Sequence, residues 1–270
     1  HHFAKHAIES ALWDVHAKRQ GESLASVLGG VTDVVEVGAV VGMYDTVDAV
    51  VDEVMQRVNE GYARVKIKIA PGHDAEVLAA VREAVGIEYA LQADANGAYS
   101  ASDIDLLCSF DAYALQFIEQ PFAAHDLDSH AQLSQRSATS VCLDESVMTT
   151  SQLLTALDLG ACDVVNIKPS RVGGIREAIA MHDVLVERGV DAWVGGMLET
   201  GIGRASCLAL ASMPGFTLTP DLSASSRYFQ RDVTTPFVLD DGCLHVPQGT
   251  GIGVEPLAEV LAEENVVIET

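Results

Sequence analysis

Five ionisable residues recur along the chain at nearly constant intervals of 24 to 26 residues. In order, they are Lys68, Asp94, Glu119, Asp144 and Lys168. Each lies at the end of a short apolar run that is typical of a β-strand. Neighbouring strands lie about 5 Å apart, so three carboxylates on adjacent strand ends repel one another unless a cation lies among them. The spacing therefore indicates a metal site with a lysine on either side.

The residue types narrow the metal and the reaction. Oxygen donors without His or Cys select a hard divalent cation, and we expect Mg²⁺, with Mn²⁺ as a substitute and with open positions for a substrate. In a ring of eight strands, Lys68 and Lys168 would lie four strands apart, on opposite sides of the mouth. This arrangement suits removal of a proton next to a carboxylate, because a lysine takes the proton while the metal and a cation stabilise the enediolate.

Each residue taken alone also has a structural interpretation. Asp94 in QADANGAYS suits an Asx turn, and Asp144 in CLDES suits a helix cap. Glu119 in FIEQPF suits a strand end before a proline turn, and Lys168 in NIKPS suits a solvated loop. Together these interpretations fit poorly, because they leave three neighbouring carboxylates without a cation.

The stretch RVKIKIAPG (64–72) presents a similar choice. Arg64, Lys66 and Lys68 alternate with β-branched residues, in a chain that holds 16 Lys and Arg against 39 Asp and Glu. Such alternation is typical of a strand with one face in water, and charged edge strands discourage aggregation. Because the strand-end set places Lys68 in a site, we predict instead that these cations point into that site.

The elements that must position these residues follow a regular order. Strands are predicted at 35–42, 64–70, 88–94, 115–120, 140–145, 163–168, 191–196 and 216–221. Helices are predicted between them, for example at 45–61, 74–86, 151–160 and 174–189. Eight strands alternating with helices predict an α/β fold, the (β/α)8-type TIM barrel, whose chemistry lies at the C-terminal strand ends. A doubly wound sheet is the alternative, but the sequence has no GxGxxG after the first strand and no Walker loop.

Composition excludes several kinds of partner. The formal net charge is -23 and the pI is near 4.5, so the surface repels nucleic acid and anionic lipid, and we expect neither a nucleic-acid nor a membrane partner. The five cysteines never form a CxxC pair, which suits free thiols in a reducing, cytoplasmic compartment. No apolar run approaches the roughly 20 residues of a membrane span.

The strand-end motifs KIK, DAN, IEQP, LDES and NIKP resemble, in order and spacing, the catalytic motifs of the enolase superfamily, in its muconate-lactonizing subgroup. More narrowly, IKPSRVGG, VGGMLETGIGRA and DLSASSRYFQRDVTTPF resemble the o-succinylbenzoate synthase / N-acylamino acid racemase family. The resemblance runs the length of the chain. It implies the modified (β/α)7β barrel of that superfamily.

The resemblance also implies roles for individual residues. Asp94, Glu119 and Asp144 would bind Mg²⁺, while Lys68 and Lys168 would be the acid/base pair. In the synthase reaction, a cyclohexadiene carboxylate loses water on one face to give o-succinylbenzoate for menaquinone synthesis. In the racemase reaction, the two lysines would work on opposite faces of an N-acylamino acid.

Further residues would contact this small-molecule carboxylate. By resemblance, Lys66 and Asn96 would touch the substrate carboxylate or the metal shell. Gly196 and Met197 would face the succinyl or acyl arm. The family is usually oligomeric, so a homo-oligomer is also expected.

Family members carry an N-terminal α+β capping domain before the helix with which this chain begins, and we expect these 270 residues to depart from the family pattern by lacking it. That domain normally closes over the barrel mouth and excludes water. We therefore expect a leading helix at 1–30 and a catalytic barrel at 31–226. A C-terminal segment at 227–270 would pack on the barrel or on the capping domain.

Other functions stay open at this point. Muconate cycloisomerase and dipeptide epimerase belong to the same subgroup, and a dipeptide epimerase would show an acidic DxD-type element after strand eight, where DLSAS offers Asp221. A barrel that binds metal without turnover belongs to a different class. A class I aldolase with a Schiff base at Lys168 would leave the three carboxylates unexplained.

Overall fold

A computed structural model describes residues 1–262 of the chain. The strands are β1 (Val34–Glu36), β2 (Gly38–Val41), β3 (Arg64–Lys68), β4 (Ala90–Asp94), β5 (Phe117–Glu119), β6 (Ser140–Leu143), β7 (Val164–Ile167), β8 (Asp191–Val194) and β9 (Cys243–His245). The α-helices are α1 (His2–Gln20), α2 (Leu24–Leu28), α3 (Val47–Asn59), α4 (Ala75–Val85), α5 (Ile104–Ser109), α6 (Leu127–Arg136), α7 (Thr150–Asp158), α8 (Pro169–Val172), α9 (Ile175–Arg188), α10 (Gly201–Ala211) and α11 (Ala258–Leu261). Short 3-10 helices lie at Ala101–Asp103, Phe110–Tyr113 and Ser225–Arg227.

Strands β2 to β8 form one parallel sheet in chain order, with helices between successive strands. The order of a doubly wound sheet reverses at a switch point, and no reversal occurs in this sheet, so that alternative is wrong. The predicted α/β barrel class is confirmed. All seven strands therefore point their C-terminal ends to the same edge.

The segment 216–221 is not the regular eighth strand that the pattern predicts. Its amides at Thr217 and Asp221 donate to β8 carbonyls at 2.9 and 3.3 Å. Its Pro220 carbonyl accepts from the amide of Gly38 on β2 at 2.9 Å. These separate bonds place the segment between β8 and β2, where it closes the ring. Pro220 has no amide hydrogen, and this interrupts the ladder that a regular strand needs.

The strand predicted at 35–42 is two strands that separate at Val37. The Val37 amide donates to Gly242 at 2.9 Å, while its carbonyl accepts from Ala63 at 3.3 Å. β1 thereby leaves the barrel sheet and pairs antiparallel with β9 of the C-terminal segment. The C-terminal segment also contains α11, and residues 263–270 lie outside the described residues.

The four helices predicted above are present as α3, α4, α7 and α9, within two residues at each end. The start of α3 shows the local cause. The Thr46 hydroxyl accepts from the Ala49 amide at 3.2 Å, and Asp48 places a negative charge in the first turn. The same helix buries Val50 and Val54 against the sheet. Amphipathic helices of this kind cover the outer face of the barrel.

The five cysteines are free, as predicted. Within residues 1–262, no helix is long and apolar enough to span a membrane.

Candidate active site

The barrel brings the five spaced residues to one edge of the sheet. Lys68, Asp94 and Glu119 are the last residues of β3, β4 and β5, and they pair in register as Lys68 with Asp94 and Asp94 with Glu119. Asp144 and Lys168 directly follow β6 and β7. Parallel strands end at the same height, so a regular spacing in the sequence becomes proximity in space.

The three carboxylates are almost completely buried. Asp94 is 1% exposed, and Glu119 and Asp144 are 0% exposed. Burial of three charged groups costs free energy unless cations compensate them. The compensating groups in this structure include at least one lysine ammonium group at each carboxylate.

Lys68 and Lys168 approach the carboxylates from opposite sides. The Nζ of Lys68 lies 2.6 Å from Asp94 Oδ2 and 2.6 Å from Asn96 Oδ1. The Nζ of Lys168 lies 2.6 Å from Asp144 Oδ2. β3 and β7 are four positions apart in a ring of seven strands and one closing segment. Lys68 and Lys168 therefore face each other across the mouth.

Lys66 lies deeper than the other two lysines. Its Nζ is 2.5 Å from Glu119 Oε2, 2.7 Å from Asp221 Oδ2 and 3.3 Å from Asp94 Oδ2. The side chain is 2% exposed, and it lies over the Trp193 ring, 4.7 Å from the centroid. Lys66 therefore contacts the carboxylates from the barrel interior, on the side away from the mouth.

Arg64, two residues before Lys66 on β3, lies still farther from the barrel mouth. It is 0% exposed, bonds the carboxylate of Asp221 and donates from Nε to the Thr219 carbonyl at 3.2 Å. β3 pairs with β2 on one side and with β4 on the other. The alternative of a solvated edge strand is therefore wrong, and the alternating cations point into the barrel.

Burial and neighbouring charge act differently on the carboxylates. Burial, together with the charges of Asp94 and Asp144, raises the pKa of Glu119 to about 7, and Lys66 only partly offsets this. Burial also acts to raise the pKa of Asp94, but Lys66 and Lys68 outweigh it and hold that pKa below its ordinary value. Glu119 therefore needs a further cation to stay fully ionised at neutral pH.

The buried lysines are held in the charged form. Burial acts to lower the pKa of Lys66, but Asp221 and Glu119 outweigh it and raise that pKa well above its ordinary value. Burial likewise acts to lower the pKa of Lys168, and Asp144 with Glu119 raises it above the ordinary value. A lysine base must be neutral, so Lys168 has to leave Asp144 before it can accept a proton.

A cavity of about 360 Å³ opens at this edge of the sheet. Its lining includes Lys68 and Lys168, and the predicted substrate contacts Asn96, Gly196 and Met197. A small carboxylate bound there would have one lysine on each side.

Two residues that the sequence reasoning missed also belong to the site. Asn166 donates from Nδ2 to Glu119 Oε1 at 2.6 Å. Arg171 lies between the two acids, with Nε 3.1 Å from Asp144 Oδ1 and Nη1 3.4 Å from Glu145 Oε1. Only their positions in the sequence could have pointed to them. Asn166 lies two residues before Lys168, and Arg171 lies in the quoted IKPSRVGG stretch.

The donor set fits a hard divalent ion in chemistry, although it is not preassembled. Within residues 1–262, no group of three or more His, Cys, Asp or Glu side chains stands ready to hold a metal. The ammonium groups of Lys68 and Lys168 instead bind carboxylate oxygens that such an ion would use. One buried oxygen, Asp144 Oδ1, accepts no hydrogen bond, because its contact with Arg171 is an ion pair without hydrogen-bond geometry. Carboxylate oxygens are nevertheless the donors that a hard divalent ion prefers.

Comparison with known proteins agrees with this fold. Residues 49–260 match the family model described as "Enolase C-terminal domain-like". Residues 1–29 match the N-terminal domain model of the mandelate racemase / muconate lactonizing enzymes. The chain therefore belongs to the enolase superfamily, whose members are metal-dependent enzymes.

Relatives within the superfamily include an N-succinylamino acid racemase of Amycolatopsis sp. that is 47% identical over 97% of this chain and 72% of its own length. An o-succinylbenzoate synthase of Bacillus subtilis (strain 168) is 45% identical over 96% of this chain and 69% of its own length. A crystal structure of an enolase superfamily protein from Listeria innocua superposes with a TM-score of 0.92 at 40% identity, over 96% of this chain and 70% of that one.

Proposed function

We propose that this protein removes a proton next to the carboxylate of a small molecule, as an o-succinylbenzoate synthase, an N-acylamino acid racemase or both. One observation carries the proposal: Lys68 and Lys168 lie on opposite sides of one cavity, with three buried carboxylates between them. The relatives named above are a racemase and a synthase, and both reactions begin with loss of an α-proton.

The ion that we propose is Mg²⁺, with Mn²⁺ as a substitute, and Asp94, Glu119 and Asp144 would hold it. When bound, it would supply a positive charge that stabilises the negative charge developing on the substrate carboxylate. The raised pKa of Glu119 supports this, because a cation in contact would keep that carboxylate ionised.

The two lysines would have separate roles. In the synthase reaction, Lys68 would take the α-proton and return a proton to the leaving hydroxyl on the same face, while the charge of Lys168 stabilises the enediolate. In the racemase reaction, one lysine would remove the proton and the other would return it on the opposite face. Lys66 and Asn96 would contact the metal shell or the substrate carboxylate. Gly196 and Met197 would line the acyl arm.

The structure argues against a dipeptide epimerase. Such an enzyme needs an acidic group that is free to bind a substrate ammonium, and DLSAS offers Asp221 for this. Both oxygens of Asp221 are occupied, one by Arg64 and the other by Lys66. The residue is 4% exposed, so it is committed to the barrel interior.

Proton exchange in D₂O with Mg²⁺ tests the proposal. The wild type should exchange the α-proton of both enantiomers of an N-succinylamino acid, followed by NMR. Lys168→Ala should leave one enantiomer exchanging its α-proton without racemising, and Lys68→Ala should do the same for the other enantiomer. In each variant, exchange of the enantiomer that depends on the missing lysine should be about 10²- to 10⁴-fold slower. Lys18→Ala, on α1 and ion-paired to Asp14 and Glu255, is the matched control and should behave as wild type.

Dehydration to o-succinylbenzoate should be lost in Lys68→Ala and should survive weakly in Lys168→Arg, because the positive charge remains. The two-lysine assignment is wrong if either alanine variant still racemises at a near wild-type rate, since one lysine cannot reach both faces of a planar intermediate. Metal binding by the wild type with neither exchange nor dehydration would indicate a metal-binding barrel without turnover.

A further inference from the structure

The side chain of Gln120 joins the ends of two carboxylate-bearing strands. Gln120 follows Glu119 directly, is 1% exposed and has a left-handed backbone, with φ 41°. Its Oε1 accepts from the amide of Asp144 at 3.0 Å and from the amide of Ser146 at 3.2 Å. One uncharged side chain thus connects the residue after Glu119 to the backbone of Asp144.

This connection lies just beyond the paired part of the two strands. β5 and β6 are in register up to Glu119 and Cys142, and the next backbone bond runs from the Gln120 amide to the Cys142 carbonyl at 2.8 Å. Asp144 follows the end of β6. The Gln120 carboxamide therefore continues the link between the strands where Asp144 leaves the sheet.

The other end of the carboxamide is held as well. Gln120 Nε2 lies 2.9 Å from the Phe122 carbonyl, 2.7 Å from Ser146 Oγ and 3.2 Å from His130 Nε2. All three can accept a hydrogen bond, so the amide nitrogen belongs on this side and the oxygen on the Asp144 side. The orientation of the side chain is determined by its neighbours.

His130 completes this arrangement from α6. Its Nδ1 lies 2.7 Å from the Asp126 carbonyl, and a carbonyl only accepts, so Nδ1 carries the hydrogen. Nε2 is then the acceptor for the side-chain amide of Gln120 at 3.2 Å and for the backbone amide of Phe122 at 3.4 Å. The ring is 0% exposed and makes an edge contact with Phe122 at 5.1 Å. It has no freedom to turn away.

We propose that Gln120, held in place by His130, is a positioning residue that sets the distance between the Glu119 and Asp144 carboxylates and thereby the affinity for the divalent ion. The inference rests on the proposed function. Removal of a residue that hydrogen-bonds to a metal ligand and orients it commonly weakens metal affinity by about 10- to 100-fold. Gln120 is neutral, so an incoming cation does not displace it as it would displace a lysine.

Gln120→Met tests the proposal, because Met has a similar volume and no hydrogen-bonding amide. Mn²⁺ binding measured by EPR should weaken by about 10- to 100-fold. Independently of any metal, the amide hydrogens of Asp144 and Ser146 should exchange faster by NMR, because they lose their acceptor. Gln92→Met is the matched control: Gln92 is 0% exposed, lies on β4 and donates to Gln116 at 2.9 Å. It should leave Mn²⁺ affinity within about threefold of wild type.

A second variant, His130→Leu, tests the support and serves also if Gln120→Met does not fold. As a single variant, His130→Leu should weaken Mn²⁺ binding. In the Gln120→Met background it should cause no further loss of affinity, because His130 acts through Gln120. Wild-type affinity in Gln120→Met, or full protection of the Asp144 and Ser146 amides in it, would overturn the proposal. So would an unchanged affinity in His130→Leu. A wild type that binds no Mn²⁺ would refute the proposed function instead, and the amide exchange would still decide whether Gln120 joins the two strands.

Discussion

Adding one methyl group at Gly195 should slow turnover strongly without unfolding the protein. Gly195 follows β8 at the active edge of the sheet. A Cβ there would lie 2.0 Å from Asn166 Oδ1 and 2.7 Å from both Cγ and Cε of Lys168. The backbone of Gly195 is not left-handed, so the steric contact alone decides the effect of Gly195→Ala.

The size of the effect follows from those contacts. A normal contact needs 3.4 Å, so Asn166 Oδ1 must move by about 1.4 Å (3.4 less 2.0) and the Lys168 stem by about 0.7 Å (3.4 less 2.7). Asn166 holds Glu119 at 2.6 Å and Lys168 holds Asp144 at 2.6 Å, so either movement disturbs a carboxylate. A displacement of ~1 Å costs about 10²-fold in turnover, while overpacking costs ~1–3 kcal/mol of stability.

The assay compares kcat and thermal unfolding of Gly195→Ala with those of Gly42→Ala. Gly42 follows β2 at the same edge, and a Cβ there meets nothing within 4 Å. Gly42→Ala should keep the wild-type kcat, and Gly195→Ala should lose about 10²-fold while remaining folded. If Gly195→Ala turns over within about threefold of wild type, the packing of Asn166 and Lys168 does not control the chemistry and the reasoning is wrong.

Three further outcomes are expected. Asp94→Asn, Glu119→Gln and Asp144→Asn should each abolish Mg²⁺-dependent turnover while circular dichroism shows a folded barrel, and turnover that persists in all three would refute the metal assignment. In EDTA, Glu119 should contribute a loss of stability as the pH rises from about 4.5 to about 7, because its pKa is raised from 4.5 to about 7 and the folded state keeps a proton that the unfolded chain releases. That pH dependence should be absent from Glu119→Gln, and an identical slope in the variant would contradict the assignment. Asp221→Asn should cost ~3–5 kcal/mol in urea unfolding, because it leaves the buried Arg64 without its carboxylate, and a loss below ~1 kcal/mol would argue against that pair.

The sequence by itself determined the barrel class and the group of residues that meet at its edge. Strand and helix patterns are local, because they depend on alternation over a few residues and on caps such as Thr46. Parallel strands place their ends together whatever the details of packing. The five residues from Lys68 to Lys168 follow one another at intervals of 24 to 26 residues, so each lies at the end of a successive strand and the barrel brings them together.

Tertiary structure decided which charged groups pair inside that site. Arg64 meets Asp221 across 157 residues, and Lys66 meets Glu119 across 53. No local pattern shows how deeply a lysine is buried, so the sequence predicted that Lys66 touches the substrate carboxylate or the metal shell but did not show its burial against Glu119. Likewise, Gln120 in IEQP reads as a turn residue, and only folding brings its carboxamide to Asp144. Side-chain pairs over long separations depend on barrel closure and on the cost of burying each charge, and both are properties of the whole fold.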